Sequence, residues 1–264
     1  MKETVSKYRS VFISDLHLGS AGCKTDNLRQ FLESFDSENL FLVGDIIDGW
    51  VGPRHGDWSQ DCTNIVRTML SKSEQGCNVC YTPGNHDAFM RQLNGSELGN
   101  ILIDHSFVHT LANGKRLLIV HGDLFDKSCT DYPSVAWAGA WVYEYITILN
   151  GHVNRGLTKV ERRPIDFCSV LKHTCKKIVK RGSSYEFELL DHALELDCDG
   201  VVCGHVHRPA INIDEEGHIY VNCGDWVQNQ TAVVEHFDGR LELIKWSDLA
   251  SITWKVAESS KKKI

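Results

Sequence analysis

The stretch Val79-Cys80-Tyr81-Thr82-Pro83-Gly84-Asn85-His86-Asp87 reads as a strand that ends in a tight loop. Gly84 lets the backbone bend sharply, so an amide, an imidazole and a carboxylate project from one turn. Asn-His-Asp alone is ordinary turn composition. Four other apolar runs end in the same way. Residues 9–14 enter Asp15-Leu16-His17, and residues 40–43 enter Gly44-Asp45. Residues 116–120 enter His121-Gly122-Asp123, and residues 200–203 enter Gly204-His205-Val206-His207. Strands that end in polar loops present those loops along one sheet edge. Five such ends predict an α/β fold with one composite site.

The intervening pattern supports this. Leu28, Phe31, Leu32 and Phe35 share one side of a predicted helix capped by Asp26. Ile65, Met69 and Leu70 have helical spacing within residues 57–75, and residues 185–196 read as a further helix. Asn113-Gly114 reads as a hairpin turn. The closing runs 211–213, 219–223, 232–236 and 241–246 read as antiparallel strands, with turns at Glu216-Gly217 and Asp238-Gly239.

At 264 residues the chain can bury a sizeable core as one domain carrying an insertion. Its formal net charge of −7 argues against a general duplex-DNA binder, and no nucleic-acid partner is expected. The N-terminal residues are polar and lead into a short apolar run, so no signal peptide is expected. No apolar run reaches the length of a spanning helix. The expected compartment is therefore cytoplasmic and reducing, and the ten cysteines are expected as free thiols. Cys77 and Cys80 form the one close pair; three apart in a strand, they would point to opposite faces.

Residues 126–185 change character. The stretch is net basic within an acidic chain and holds two helical patterns. One carries Trp137, Trp141, Tyr145 and Ile148. The other carries Phe167, Leu171, Cys175 and Ile178, with Lys172, Lys176 and Lys180 on an adjacent face. The expected organisation is a main domain over residues 1–250, a helical insertion at 126–185, and a basic tail at 251–264.

The strand ends offer Asp15 and His17, Asp45, Asn85 and His86, His121, and His205 and His207. All are oxygen or imidazole donors, which suits Mn²⁺, Fe²⁺ or Mg²⁺ better than a thiolate zinc site. Seven ligands are too many for one ion and suit two that share a carboxylate. Two ions about 3.5–4 Å apart serve displacement at phosphorus.

The ordered set of motifs resembles the calcineurin-like metallophosphoesterase superfamily over residues 9–246. The resemblance implies a four-layer αββα sandwich with a helical cap and two divalent ions, foremost Mn, with Fe, Mg or Zn as alternatives. It implies that Asp15, His17 and His207 hold one ion, that Asn85, His121 and His205 hold the other, and that Asp45 bridges them. A water between the ions would be the nucleophile. His86 would stabilise the transition state or protonate the leaving oxygen, with Asp87 orienting it. Asp48 and Asp123 are expected as supporting or turn residues, and Arg54, His55 and Asp57 as surface loop.

Within the superfamily the chain is similar to the UDP-2,3-diacylglucosamine pyrophosphatase group of lipid A biosynthesis. The matching runs are Ile13-Ser14-Asp15-Leu16-His17-Leu18, Gly44-Asp45-Ile46-Ile47-Asp48-Gly49-Trp50, Gly204-His205-Val206-His207-Arg208-Pro209 and Asn222-Cys223-Gly224-Asp225-Trp226. This likeness implies a UDP-linked lipid substrate under the cap, with Asn85, His86, Asp126, Lys172, Lys176 and Arg208 as substrate contacts. The lysine stripe and the aromatic face suit an anionic membrane surface as partner, at the cytoplasmic face of the inner membrane. One position departs: that group carries arginine where this chain has His86. The alternatives are a phosphodiesterase or phosphatase for a soluble nucleotide or phosphoprotein, and a non-catalytic scaffold. The aromatic stripe also fits the cap's own core, and the lysine stripe a solvated helix face.

Overall fold

The computed structural model describes residues 5–50, 58–126 and 182–246. A seven-stranded sheet has the order β12-β11-β1-β2-β3-β5-β4, and a five-stranded sheet the order β6-β7-β8-β10-β9. The first sheet contains β1 (Ser6–Ile13), β2 (Phe35–Val43), β3 (Asn78–Thr82), β4 (Ser96–Leu98), β5 (Ile101–Ile103), β11 (Thr231–Glu235) and β12 (Leu241–Lys245). The second contains β6 (Phe107–Thr110), β7 (Arg116–Ile119), β8 (Gly200–Cys203), β9 (Ala210–Ile213) and β10 (Ile219–Asn222). Among the described residues the helices are α1 (Thr25–Glu33), α2 (Gln60–Glu74) and α3 (Gly182–Glu195).

Alternation along the strands builds the layers. In β1, Val11 and Ile13 face one way and Phe12 the other. Val11 and Ile13 join Leu28, Phe31 and Leu32 of α1, and Ile65 and Met69 of α2, in a core outside the first sheet. Phe12 joins Phe41, Leu117, Ile119, Val202 and Val221 in a core between the two sheets. There Phe12 stacks on Phe41 at 5.0 Å and 8°, a pairing worth about 0.5–1.5 kcal/mol beyond area burial. Leu118, Val201 and Tyr220 turn outward to meet Tyr185, Leu189 and Ala193 of α3. The result is helix, sheet, sheet, helix: the expected four-layer αββα arrangement. The two cap helices expected within 126–185, with Lys172 and Lys176, lie outside the described residues, as do Arg54, His55, Asp57 and the tail.

Several local expectations need correction. Asp26 sits inside the first turn of α1 and makes no cap; Lys24 holds that position without a side-chain bond. Ser59 does cap α2, accepting from the amide of Cys62 at 3.2 Å. Phe35 opens β2, because Ser34 ends the helix one residue earlier and the Phe35 ring packs back on Phe31 at 5.0 Å. The closing strands pair antiparallel as expected, β9 with β10 and β11 with β12, and β10 also runs parallel to β8. β4 carries no apolar alternation, lies exposed at a sheet edge, and gave no signal in the sequence. All the described cysteines are free thiols. Cys77 packs with the outer core and Cys80 with the inner one.

The parallel order β1-β2-β3 carries the loops after all three strands to one edge, and β7-β8 does the same in the second sheet. The edges meet at the end of the inter-sheet core. Among the described residues, no helix is long and apolar enough to cross a membrane.

Candidate metal centre

The loops after β1 and β2 continue side by side beyond their strands. The register Ile13↔Leu42 is carried forward to an isolated parallel bridge, Leu18↔Ile47. The amides of Asp15 and His17 donate to the carbonyls of Gly44 and Asp45 at 3.0 and 2.9 Å. This backbone is bent hard. Asp15, His17, Asp45, His205 and His207 all have positive φ, between 49° and 67°. Such conformations cost non-glycine residues about 1–3 kcal/mol each and gather at functional sites.

Asp15, His17, Asp45 and His121 are all buried. Three sets of ligating atoms lie within 4.8 Å of one another: Asp15, His17 and His207; His17, Asp45 and His86; Asp15, Asp45 and His121. His207 Nε2 is 3.1 Å from Asp15 Oδ1, and His121 Nε2 is 3.3 Å from Asp45 Oδ2. His17 Nε2 is 3.9 Å from Asp15 Oδ1 and 4.0 Å from Asp45 Oδ2. Asn85, His121 and His205 also adjoin. The rings of His121 and His205 are 5.4 Å apart, and His205 Nδ1 lies 3.2 Å from Asn85 Oδ1.

The donor set fits divalent cations. Asp15 Oδ1, His17 Nε2 and His121 Nε2 are buried and make no hydrogen bond, and buried polar atoms are otherwise almost always satisfied. The opposite nitrogen of each of these histidines is anchored. His121 Nδ1 donates to the carbonyl of Val43 at 2.9 Å, and His17 Nδ1 meets Asp48 Oδ2 at 3.2 Å. Fixing one ring nitrogen aims the other at a metal. Gly84 and Gly44 provide the clearance: a Cβ on Gly84 would fall 2.3 Å from Asp45 Oδ1, and one on Gly44 2.2 Å from His121 Nδ1.

The electrostatics agree. Burial opposes charge on Asp45, yet His121, His86 and His17 hold its carboxyl well below the ordinary range. Burial likewise opposes charge on His121, and Asp45, Asp15 and Asp123 overcome it to hold the imidazole well above its usual value. The carboxylates thus draw in positive charge. A ligating imidazole is neutral, so cations here would take the place of protons.

His86 enters the same cluster. Its Nδ1 lies 3.1 Å from Asp48 Oδ1, its amide donates to Asp45 Oδ1 at 2.8 Å, and its ring meets His17 edge-on at 4.5 Å. Asp87 does not orient it. The Asp87 carboxylate is buried and turns back into the loop, accepting from the amides of Gly84 (2.6 Å), Ile46 (2.7 Å), Asp45 and Ile47 (both 3.3 Å), and from the Tyr81 hydroxyl. The physical reason is supply: among the described residues those amides bond no other acceptor, and adjacent residues in a tight turn point apart. Asp48 is the carboxylate on His86, and it spans His86 and His17. Both contacts hold its carboxyl down against the opposing pull of burial. Asp48, expected as a supporting or turn residue, thus takes the orienting place expected of Asp87, and the pairing of the β1 and β2 loops brings it there.

The other expected residues are placed as follows. Asp126 Oδ2 is 3.0 Å from His205 Nε2, so it engages a ligand candidate directly. Arg208 is exposed beside His207. Asp123 is gripped by Arg91 Nη2 at 2.7 and 2.9 Å, tying the His121 loop to the turn that follows Asp87. Asp225 accepts from the amides of Val227, Gln228 and Asn229, and Asn229 Nδ2 donates to the carbonyl of His207 at 3.0 Å. Trp50 gave no separate signal in the sequence, yet its indole lies flat on the His86 ring at 4.0 Å and 21°.

The sequence profile of the calcineurin-like phosphoesterases matches residues 8–209. The chain belongs to this family. It is a metal-dependent phosphoester hydrolase. Among curated relatives, a UDP-2,3-diacylglucosamine hydrolase of Blochmanniella pennsylvanica is 26% identical over 207 residues, covering 76% of this chain and 80% of the relative. One of Xanthomonas campestris pv. campestris is 24% identical over 249 residues, covering 87% and 96%. Vps29 of Chaetomium thermophilum overlays with a TM-score of 0.43 at 10% identity, covering 91% of this chain and 95% of that one.

Proposed function

We propose that this phosphoesterase cleaves the pyrophosphate of UDP-2,3-diacylglucosamine or a related UDP-lipid. The name shared by relatives that align over most of the chain supports this choice of substrate. The observation that carries the chemistry is the set of buried, unbonded ligand atoms on Asp15, His17 and His121, facing Asp45.

In this reading Asp15, His17 and His207 would hold one divalent ion and Asn85, His121 and His205 the second, with Asp45 shared between them; manganese suits the oxygen and imidazole set. Bound there, the ions supply positive charge for the phosphate oxygens and lower the pKa of water. His86, fixed through Nδ1 by Asp48, holds a proton on Nε2 for the leaving oxygen. Lys172, Lys176 and Arg208 would offer cations for the diphosphate, and the insertion at 126–185 would cover the acyl chains. The basic insertion suits an anionic membrane surface at the cytoplasmic face.

The test is purified protein with Mn²⁺ and UDP-2,3-diacylglucosamine, with bis-p-nitrophenyl phosphate alongside. UMP release is expected. Hydrolysis of the model diester with no UMP would overturn the lipid assignment and favour a soluble phosphodiester.

A further inference from the structure

Among the described residues, Asp48 meets Nδ1 of His86 and His17 meets its ring edge-on, both within the metal centre above; a further contact lies outside it. That contact is Trp50. The indole covers the imidazole face to face, centroids 4.0 Å apart and planes 21° apart. The contact is built in by the backbone. The Trp50 amide donates to Asp48 Oδ1 at 3.1 Å, the same oxygen that meets His86 Nδ1. The intervening Gly49 amide donates to the carbonyl of His86 at 3.0 Å, and a Cβ on Gly49 would fall 2.7 Å from that oxygen. Gly49 must therefore lack a side chain for the two loops to close, and their closure lays Trp50 on His86.

A hydrogen bond at Nδ1 restrains the imidazole in its own plane and leaves it free to rock out of that plane. A ring pressed on one face removes that freedom. We propose that Trp50 is a positioning residue, which holds the plane of His86 so that Nε2 meets the leaving-group oxygen. The inference rests on the reading of His86 as the proton donor. Trp50 is placed to act through His86 and need not contact the substrate.

The experiment compares Trp50→Leu, Trp50→Phe, His86→Ala and the double variant W50L/H86A, using bis-p-nitrophenyl phosphate with Mn²⁺. kcat, KM, bound metal and melting temperature are read for each. Loss of the stack should lower kcat about two- to ten-fold, the rate equivalent of a pairing of about 0.5–1.5 kcal/mol, with KM and metal content unchanged. Trp50→Phe, which keeps an aromatic face, should recover most of that loss. In the H86A background the Trp50→Leu change should have no further effect on kcat. A raised KM in both backgrounds would mean that Trp50 binds substrate, and would overturn the proposal. Unchanged kcat in W50L beside a large fall in H86A would overturn it while leaving His86 as the acid. Unchanged kcat in H86A would remove both. If W50L does not fold, Trp50→Met, which also lacks an aromatic face, carries the same cycle in the two backgrounds.

Discussion

Gly84→Ala perturbs the metal centre without removing a ligand. The added Cβ would stand 2.3 Å from Asp45 Oδ1 and 2.6 Å from both Cδ2 and Nε2 of His121. Ordinary contact begins near 3.4 Å, so the two sides must part by about 1 Å. Neither neighbour can yield cheaply. Asp45 Oδ1 accepts from the His86 amide at 2.8 Å, and His121 Nδ1 is bonded to the Val43 carbonyl at 2.9 Å. The displacement therefore falls on the gap between Asp45 and His121. Overpacking of this kind costs about 1–3 kcal/mol in stability. A shift of about 1 Å at reacting groups costs about 100-fold in rate. Gly76→Ala is the control: its Cβ meets nothing within 4 Å, though its φ is +97°. That variant should lose about 1–2 kcal/mol to the left-handed backbone and keep both metal and rate. The measurements are hydrolysis of bis-p-nitrophenyl phosphate with Mn²⁺, metal per chain after gel filtration, and thermal melting. A Gly84→Ala protein with full metal content and the wild-type rate would refute the reasoning.

Asp45→Asn should strip bound metal and abolish hydrolysis, since Asp45 faces His17, His86 and His121 together; retained activity would sink the shared-carboxylate reading. Glu235→Gln probes a site remote from the chemistry. Glu235 is buried and accepts from Arg9, Ser10, His109 and the Ala112 amide. Breaking such a buried network should cost about 3 kcal/mol in denaturant unfolding while leaving turnover intact. Burial works to raise the Glu235 carboxyl, but His109, Ser10, the Ala112 amide and Arg9 bring it from 4.5 to about 2. A depressed acid stabilises the fold fully above its unfolded value and loses that contribution as pH falls through the folded value. Melting temperature should therefore drop between pH 4.5 and 2, less steeply in Glu235→Gln; identical slopes would contradict the assignment.

Much of this architecture was legible in the chain because its signals are local. An apolar run, a glycine and a ligating residue lie within a few positions at each strand end, and parallel strands must bring such ends to one edge. What escaped was set by register between distant segments. Asp48 meets His17 because the β1 and β2 loops stay paired past their strands, as Leu18↔Ile47 shows. Nothing near Asp48 in sequence displays that pairing. Asp87 shows the converse error. Its neighbour in sequence is His86, but a tight turn sends successive side chains apart, and buried amides claimed the carboxylate. Trp50 is legible as an aromatic residue after a glycine; only the approach of the His86 carbonyl to Gly49 gives it a partner.

The same contacts explain why the motifs contain more residues than the metals need. Asp15, His17, Asp45, His205 and His207 stand in left-handed backbone, which an isolated loop would relax at once. Each strained loop is held by a buried group that ligates nothing. Asp87 grips the amides of Asp45, Ile46 and Ile47. Asn222 donates to the Gly204 carbonyl at 2.7 Å and accepts from the Gly224 amide at 3.0 Å. The Trp226 amide donates to the carbonyl of Asp15 at 3.1 Å while its indole packs on Phe31 at 5.0 Å, which fastens the first ligand loop to the outer core. The strain is thus carried by the two cores through these three residues. That division of labour separates residues whose loss should empty the site, such as Asp45, from residues whose loss should first loosen it, such as Asp87 and Asn222.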